Sequence, residues 1–195
     1  MIYKIRPRQI FQHLAGLNNE VRLVIPTIPG TESLTIFALE TELLIAAARI
    51  VKAKSIMEIG TSRGYTALHL ARNTGARVLT IDIANKPCVF ESLPEARRIF
   101  RYIGTVEDYR FDSEELHVKL EHDMIFIDAD HRYDAVKLDT EAAFKFDPKV
   151  VAWHDFGNPS EPDVEHYLRH LGQTKDLYHV EDSWIVFWFK EELEF

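Results

Sequence analysis

Glu58-Ile59-Gly60-Thr61-Ser62-Arg63-Gly64 joins an apolar run to a helix-like segment, and its residue types suit a ligand contact. Glycines let the chain turn sharply and bring a ligand against bare backbone. A helix starting there would add unpaired N–H groups. A plain strand–helix connection reads alike, and the spacing is not the Gly-x-Gly-x-x-Gly of dinucleotide sites. Glu58 narrows the choice, because a carboxylate at this point repels a diphosphate and tolerates a ligand carrying ammonium or sulfonium charge. Asp82 ends the next apolar run, where a carboxylate can accept both hydroxyls of an adenosine ribose; a capping or solvated Asp is the alternative. Gly104-Thr105-Val106-Glu107 closes a third run, as a small and an apolar residue facing an adenine or as a simple turn.

Two more clusters follow apolar runs. Asp128-Ala129-Asp130-His131 comes directly after Met124–Ile127, and ionisable groups there are costly without partners. Asp130 alone could cap the next helix. His154-Asp155 comes directly after Val150–Trp153. Asp128, His154 and Asp155 together offer two carboxylates and an imidazole, a set suited to a divalent metal. Neighbours in a regular strand point to opposite faces, so His154 and Asp155 share an ion only if the strand breaks between them. The alternative is a hydrogen-bonded group without metal. His69, His117, His122 and His179 have no companions at metal-ligand spacing, and His166 and His170 lack a nearby acid. Trp184, Phe187, Trp188 and Phe189 read as core and sheet surface.

The elements that would position these residues alternate. Helical spacing covers about Ser33 to Val51, then a strand Lys54–Ile59, a helix Gly64–Asn73 stopped by Gly75, and a strand Arg77–Ile81. A short helix over 91–99, a strand Phe100–Ile103 and a helix over 113–120 with an Asp112/Glu115 capping box come next. Met124–Ile127 and Val150–Trp153 read as strands buried on both faces. Between them lies a helix Tyr133–Phe146 with an i,i+4 Glu141–Lys145 pair. Ser160 caps a further helix, and strands Leu177–Val180 and Trp184–Phe189 form a closing hairpin. The pattern predicts an α/β fold with a doubly wound, mostly parallel seven-stranded sheet and a C-terminal antiparallel hairpin. Ligands of such sheets bind beyond the carboxyl ends of the strands, where all these clusters fall. Residues 1–32, broken by Pro26, Pro29 and Gly30, read as an irregular N-terminal segment that could act as a lid, and 33–195 as one domain.

The chain has 195 residues, 46% hydrophobic and 28% charged, enough for one core. Its 23 basic and 31 acidic residues leave a net charge of −8, which argues against general nucleic-acid or anionic-membrane binding. One cysteine excludes an internal disulfide and suits a reducing cytoplasm. The N-terminus lacks a signal-peptide pattern, and no apolar run is long enough to span a bilayer.

Glu58 to Ala67 resembles the first motif of class I S-adenosylmethionine-dependent methyltransferases, especially the catechol and caffeoyl-CoA O-methyltransferases. Leu79-Thr80-Ile81-Asp82-Ile83 resembles their ribose-binding strand. Ile127 to His131 with Tyr133, and Val151 to Asp155, resemble the bacterial branch of macrocin O-methyltransferase and cephalosporin hydroxylase. The likeness runs from about Leu34 to Phe189. It implies a Rossmann-like methyltransferase domain over 33–195. Glu58, Gly60, Thr61, Ser62, Gly64, Tyr65 and Thr66 would surround the methionine half of the cofactor. Asp82 would hold the ribose, Ile83 would lie on the adenine with Val106 and Glu107 on its other side, and Asp128 would serve cofactor and metal alike. Asp128, His154 and Asp155 match the family's Asp and Asp-Asn metal ligands. The imidazole shifts preference from Mg²⁺ toward Mn²⁺, Fe²⁺ or Zn²⁺. His131 stands where the catechol and caffeoyl-CoA enzymes have a catalytic lysine, which implies a general base, with Asp128 catalytic through the metal it would hold. The expected activity is metal-assisted O-methylation of a small-molecule hydroxyl by a soluble, cytoplasmic protein, alone or as an oligomer. The rivals are a cofactor-binding module without catalysis, a nicotinamide-dependent oxidoreductase and a hydroxylase-like enzyme.

Overall fold

Runs of apolar residues too dense to alternate need cover on both faces, and they form the centre of the sheet. The computed structural model describes residues 1–14, 20–22, 38–115 and 121–195. Its strands are β1 (Ile2–Ile5), β2 (Ser55–Ile59), β3 (Arg77–Asp82), β4 (Ile99–Ile103), β5 (Met124–Ile127), β6 (Val150–Trp153), β7 (Leu177–Val180) and β8 (Val186–Phe189). Every residue of β5 and β6 is buried. The helices are α1 (Pro7–Phe11), α2 (Ala38–Ile50), α3 (Tyr65–Thr74), α4 (Val106–Glu115), α5 (Tyr133–Lys145) and α6 (Pro162–Leu171).

The sheet order is β1-β7-β8-β6-β5-β2-β3-β4, and only β8 runs antiparallel, against β6 and β7. The predicted α/β class, parallel centre and terminal hairpin are all present. Chain order reverses between β2 and β5, which pair in parallel from Ile56 with Met124 to Ile59 with Ile127. The crevice of a doubly wound sheet opens at such a reversal. One apolar layer gathers Leu43, Leu44, Ala47, Leu68 and Phe126 under α2 and α3, and the other gathers Met57, Ile125, Val136, Trp153 and Leu168 under α5 and α6.

Several predicted elements differ. The sheet has eight strands, because residues 2–5 of the segment expected to be irregular pair in parallel with β7. Ile10 and Leu14 behind them are buried in the core. Of residues 1–32, expected as a possible lid, 15–19 and 23–32 lie outside the described residues. The helix expected over 113–120 begins at Val106 instead. Its start is set by reciprocal bonds, Thr105 N–H to Asp108 Oδ2 at 2.9 Å and Asp108 N–H to Thr105 Oγ1 at 3.1 Å, and not by an Asp112/Glu115 box. Residues 116–120 lie outside the described part. Residues 94–98 form a 3₁₀ turn within the expected short helix. Glu161, not Ser160, stands at the N-cap of α6. Trp184 belongs to the turn before β8. Glu141 pairs with Lys137 at 3.9 Å, while Lys145 reaches Glu107 at 3.6 Å.

Candidate active site

The loop after β2 turns because its glycines allow it. Gly60 has φ +106°, and a Cβ there would stand 1.9 Å from the carbonyl oxygen of Asp128. Gly64 has φ +76° and leads into α3, while the Phe90 ring packs where its Cβ would be. Asp82 ties the loop to the next strand end: Oδ2 accepts Ser62 N–H at 2.9 Å and Oδ1 accepts Ala84 N–H at 2.8 Å. Thr61 is buried, its hydroxyl 2.6 Å from that of Thr80. Ser62 and Thr66 are half-buried.

Glu58 lies beneath this loop rather than on its surface. It is 1% exposed and accepts a hydrogen bond from the Thr80 hydroxyl and one from the Ala67 backbone. Burial pushes its pKa up to about 8, and the charges of Asp128 and Asp82 add to the rise. Three carboxylates from β2, β3 and β5 therefore share one acidic neighbourhood. The Tyr65 hydroxyl at the head of α3 is buried with no hydrogen-bond partner among the described residues. Ile83, beyond Asp82, is 78% exposed. Val106 is buried, and the Glu107 carboxylate is drawn toward Arg110 at 2.7 Å and Lys145.

The ends of β5 and β6 bring the second group together. Asp155 has φ +63°, so the strand breaks there and His154 and Asp155 turn to the same side. His131 Nε2 lies 3.3 Å from Asp128 Oδ1 and 3.2 Å from Asp155 Oδ2, with its Nδ1 3.5 Å from Glu161 Oε2. His154 Nδ1 lies 3.0 Å from Asp155 Oδ2 and 3.5 Å from Asp128 Oδ1. Its Nε2 is 3.0 Å from Glu40 Oε2. Donor atoms of Asp128, His131 and Asp155 all fall within 4.8 Å of one another. The grouped donors therefore include His131 where His154 was expected, and the His154 ring approaches from the side, its Nδ1 3.0 Å from Asp155 Oδ2. Asp130 turns away and pairs with Arg132.

The electrostatics follow from burial and contact. Burial alone would raise Asp128 and Asp155, but hydrogen bonds from the imidazoles hold both below the ordinary carboxylate range. Burial alone would lower His154, yet its bonds to Asp128, Asp155 and Glu40 push it up to about 12. The Asp128 hydrogen bond raises His131 against the effect of its partial burial.

Glu40, Thr80 and Glu161 were not singled out from the sequence. Glu40 left a trace, since it sits on the apolar stripe of α2, one turn before Leu43 and Leu44. Thr80 and Glu161 left none, because their partners are distant in the chain.

A family described as a methyltransferase domain matches residues 57–156. No curated protein matches the sequence. Among solved structures, the O-methyltransferase from Bacillus cereus in complex with SAH is 21% identical, with a TM-score of 0.59 over 94% of this chain and 90% of that one. The O-methyltransferase TomG from Streptomyces achromogenes, involved in tomaymycin synthesis and bound to SAM, is 19% identical, with a TM-score of 0.60 over 95% and 89%. SAH-bound methyltransferase PaMTH1 of Podospora anserina is 16% identical, with a TM-score of 0.61 over 94% and 88%. The family match spans both strand ends that build the site, and the chain belongs to this methyltransferase-domain family, on the class I fold.

Proposed function

We propose that the protein is an S-adenosylmethionine-dependent O-methyltransferase acting on a small-molecule hydroxyl with the help of a divalent cation. The observation that carries this reading is the convergence of Asp128, His131, His154 and Asp155 beside a glycine loop set among the carboxylates of Glu58, Asp82 and Asp128.

The residues present fit the cofactor. The Asp82 and Asp128 carboxylates beside the loop suit the ammonium and sulfonium of S-adenosylmethionine, and the unpartnered Tyr65 hydroxyl offers a hydrogen bond. Asp82 at the end of β3, besides accepting Ser62 and Ala84 N–H groups, has lone pairs left for ribose hydroxyls, and exposed Ile83 offers an apolar face to an adenine. SAM or SAH bound in the structural relatives points the same way.

The donor set also fits a cation. Donor atoms around a six-coordinate ion at ~2.1 Å lie roughly 3 Å apart. His154 Nδ1 stands 3.0 Å from Asp155 Oδ2 and 3.5 Å from Asp128 Oδ1. Asp128, Asp155 and His154 would hold the ion, and mixed oxygen and nitrogen ligands suit Mn²⁺, Fe²⁺ or Zn²⁺ as well as Mg²⁺. When bound, the ion supplies Lewis acidity to the acceptor hydroxyl. His131 takes the hydroxyl proton on Nε2, while Glu161 beside Nδ1 steadies the ring. The glycine loop and Asp82 would hold the methyl donor beside the acceptor, which supplies proximity to the transfer.

The test uses labelled S-adenosylmethionine, a panel of small phenols and sugars, and Mn²⁺ or Mg²⁺. Label should move to an acceptor hydroxyl, and a chelator or Asp128→Asn should stop it. His131→Asn should lower turnover roughly 10²–10⁴-fold while ion affinity holds. If chelator leaves turnover intact, the metal-assisted reading fails. If ion affinity falls with His131→Asn, that residue is a ligand instead of the base. S-adenosylhomocysteine binding without transfer to any acceptor would favour a binding module, and NADH binding in its place would favour an oxidoreductase.

A further inference from the structure

We propose that Glu40 is the outer carboxylate of the metal centre, holding His154 so that Nδ1 faces Asp128 and Asp155. The inference rests on the metal-assisted reading above and extends the centre onto α2, outside the region matched by the methyltransferase family.

Glu40 is 2% exposed, and its two oxygens have separate tasks. Oε1 accepts the Trp184 backbone N–H at 2.7 Å, which ties the carboxylate to the turn before β8. Oε2 meets His154 Nε2 at 3.0 Å. An ionised carboxylate can only accept, so Nε2 keeps its proton and Nδ1 is the nitrogen left for a cation. Nδ1 points at the two carboxylates, 3.0 Å from Asp155 and 3.5 Å from Asp128. A histidine ligand whose far nitrogen donates to a carboxylate is oriented and made more basic by it. Glu40 acts through His154, and its role is positioning.

Glu40→Gln separates this role from mere packing because it keeps the shape. The Trp184 N–H still needs an acceptor, so the amide oxygen faces Trp184 and the amide NH₂ faces His154 Nε2. Nε2 must then accept, which moves the ring proton to Nδ1 and blocks it as a ligand.

The experiment titrates Mn²⁺ into the metal-free full chain by calorimetry, and records ¹⁵N-histidine spectra with and without Zn²⁺ as a diamagnetic probe. The parent should bind one ion, and in the Zn²⁺-loaded chain His154 should keep its proton on Nε2 alone, with its Nδ1 resonance shifted from the metal-free position. Glu40→Gln should weaken ion binding about 10–100-fold with a thermal midpoint near the parent's, and its His154 should carry the proton on Nδ1. Equal ion affinity in parent and Glu40→Gln overturns the role of Glu40 and leaves the metal reading standing. A parent that binds no ion overturns both. If Glu40→Gln does not fold, the parent spectra decide: Zn²⁺ binding that leaves the His154 nitrogens unmoved overturns the proposal.

Discussion

The histidines of this chain are sorted by their neighbours. His131 and His154 face carboxylates, and the hydrogen bonds to them raise the pKa of both rings. His122 faces the Ser55 hydroxyl at 3.1 Å and the edge of the Phe146 ring at 5.5 Å. Its burial pulls the pKa from 6.5 down to about 4, with Asp123 opposing and Arg77 assisting. Because the folded value lies below the unfolded one, the neutral ring favours the folded state above pH 6.5. That contribution is lost as pH falls toward 4, where the unfolded chain takes up the proton first. The shift corresponds to up to about 3 kcal/mol. Denaturant unfolding between pH 6.5 and 4.5 should show His122→Gln with a shallower loss than the parent, by about 1 kcal/mol per pH unit. Equal slopes would mean that the ring titrates normally in the folded protein.

Among the elements, the turns at the strand ends decide whether residues near in sequence can act together. Asp155 escapes strand alternation through its positive φ, and this allows His154 and Asp155 to share one centre. Gly60 is constrained more severely, because its missing Cβ makes room for the Asp128 carbonyl at the end of β5. Gly60→Ala should therefore destabilise the protein by at least about 2 kcal/mol and push the β2 and β5 ends apart. Gly157 has φ +82°, and a Cβ added there would meet nothing within 4 Å. Gly157→Ala should cost only about 1–2 kcal/mol, from backbone strain alone. Thermal and denaturant unfolding of the two variants compares them directly, and equal losses would show that the Asp128 contact does not limit Gly60.

At the scale of the whole molecule, the N-terminal residues extend the sheet. β1 covers the edge of β7 that the hairpin would otherwise leave open, and the Met1 amine is tied to the Lys175 carbonyl at 2.9 Å. Behind it, Ile10 is fully buried against the layer that also contains Leu43 and Phe187. Ile10→Ala should lower stability by about 2–5 kcal/mol, as for other buried aliphatic truncations. A loss below about 1 kcal/mol in denaturant unfolding would show that α1 is not an integral part of the core. No helix among the described residues is long and apolar enough to cross a membrane.

The sequence by itself determined the parallel α/β sheet and the strand ends that matter. Runs such as Met124–Ile127 and Val150–Trp153 are too apolar for anything but double burial, and polar groups directly after them must find partners. The glycine loop, Asp82, Asp128, His131 and His154-Asp155 were legible for that reason. Local polar competition hid other features, including the Thr105–Asp108 start of α4 and the short β1, whose four residues gain a partner only when β7 lies beside them. Only the tertiary structure decided that Glu58 lies under the loop, bonded to Thr80. It alone brought His131 beside Asp155 and set Glu40 behind His154. Those contacts join residues far apart in the chain, and no local preference encodes them. They exist because the strand order reverses between β2 and β5 and packs α2 against the end of β6.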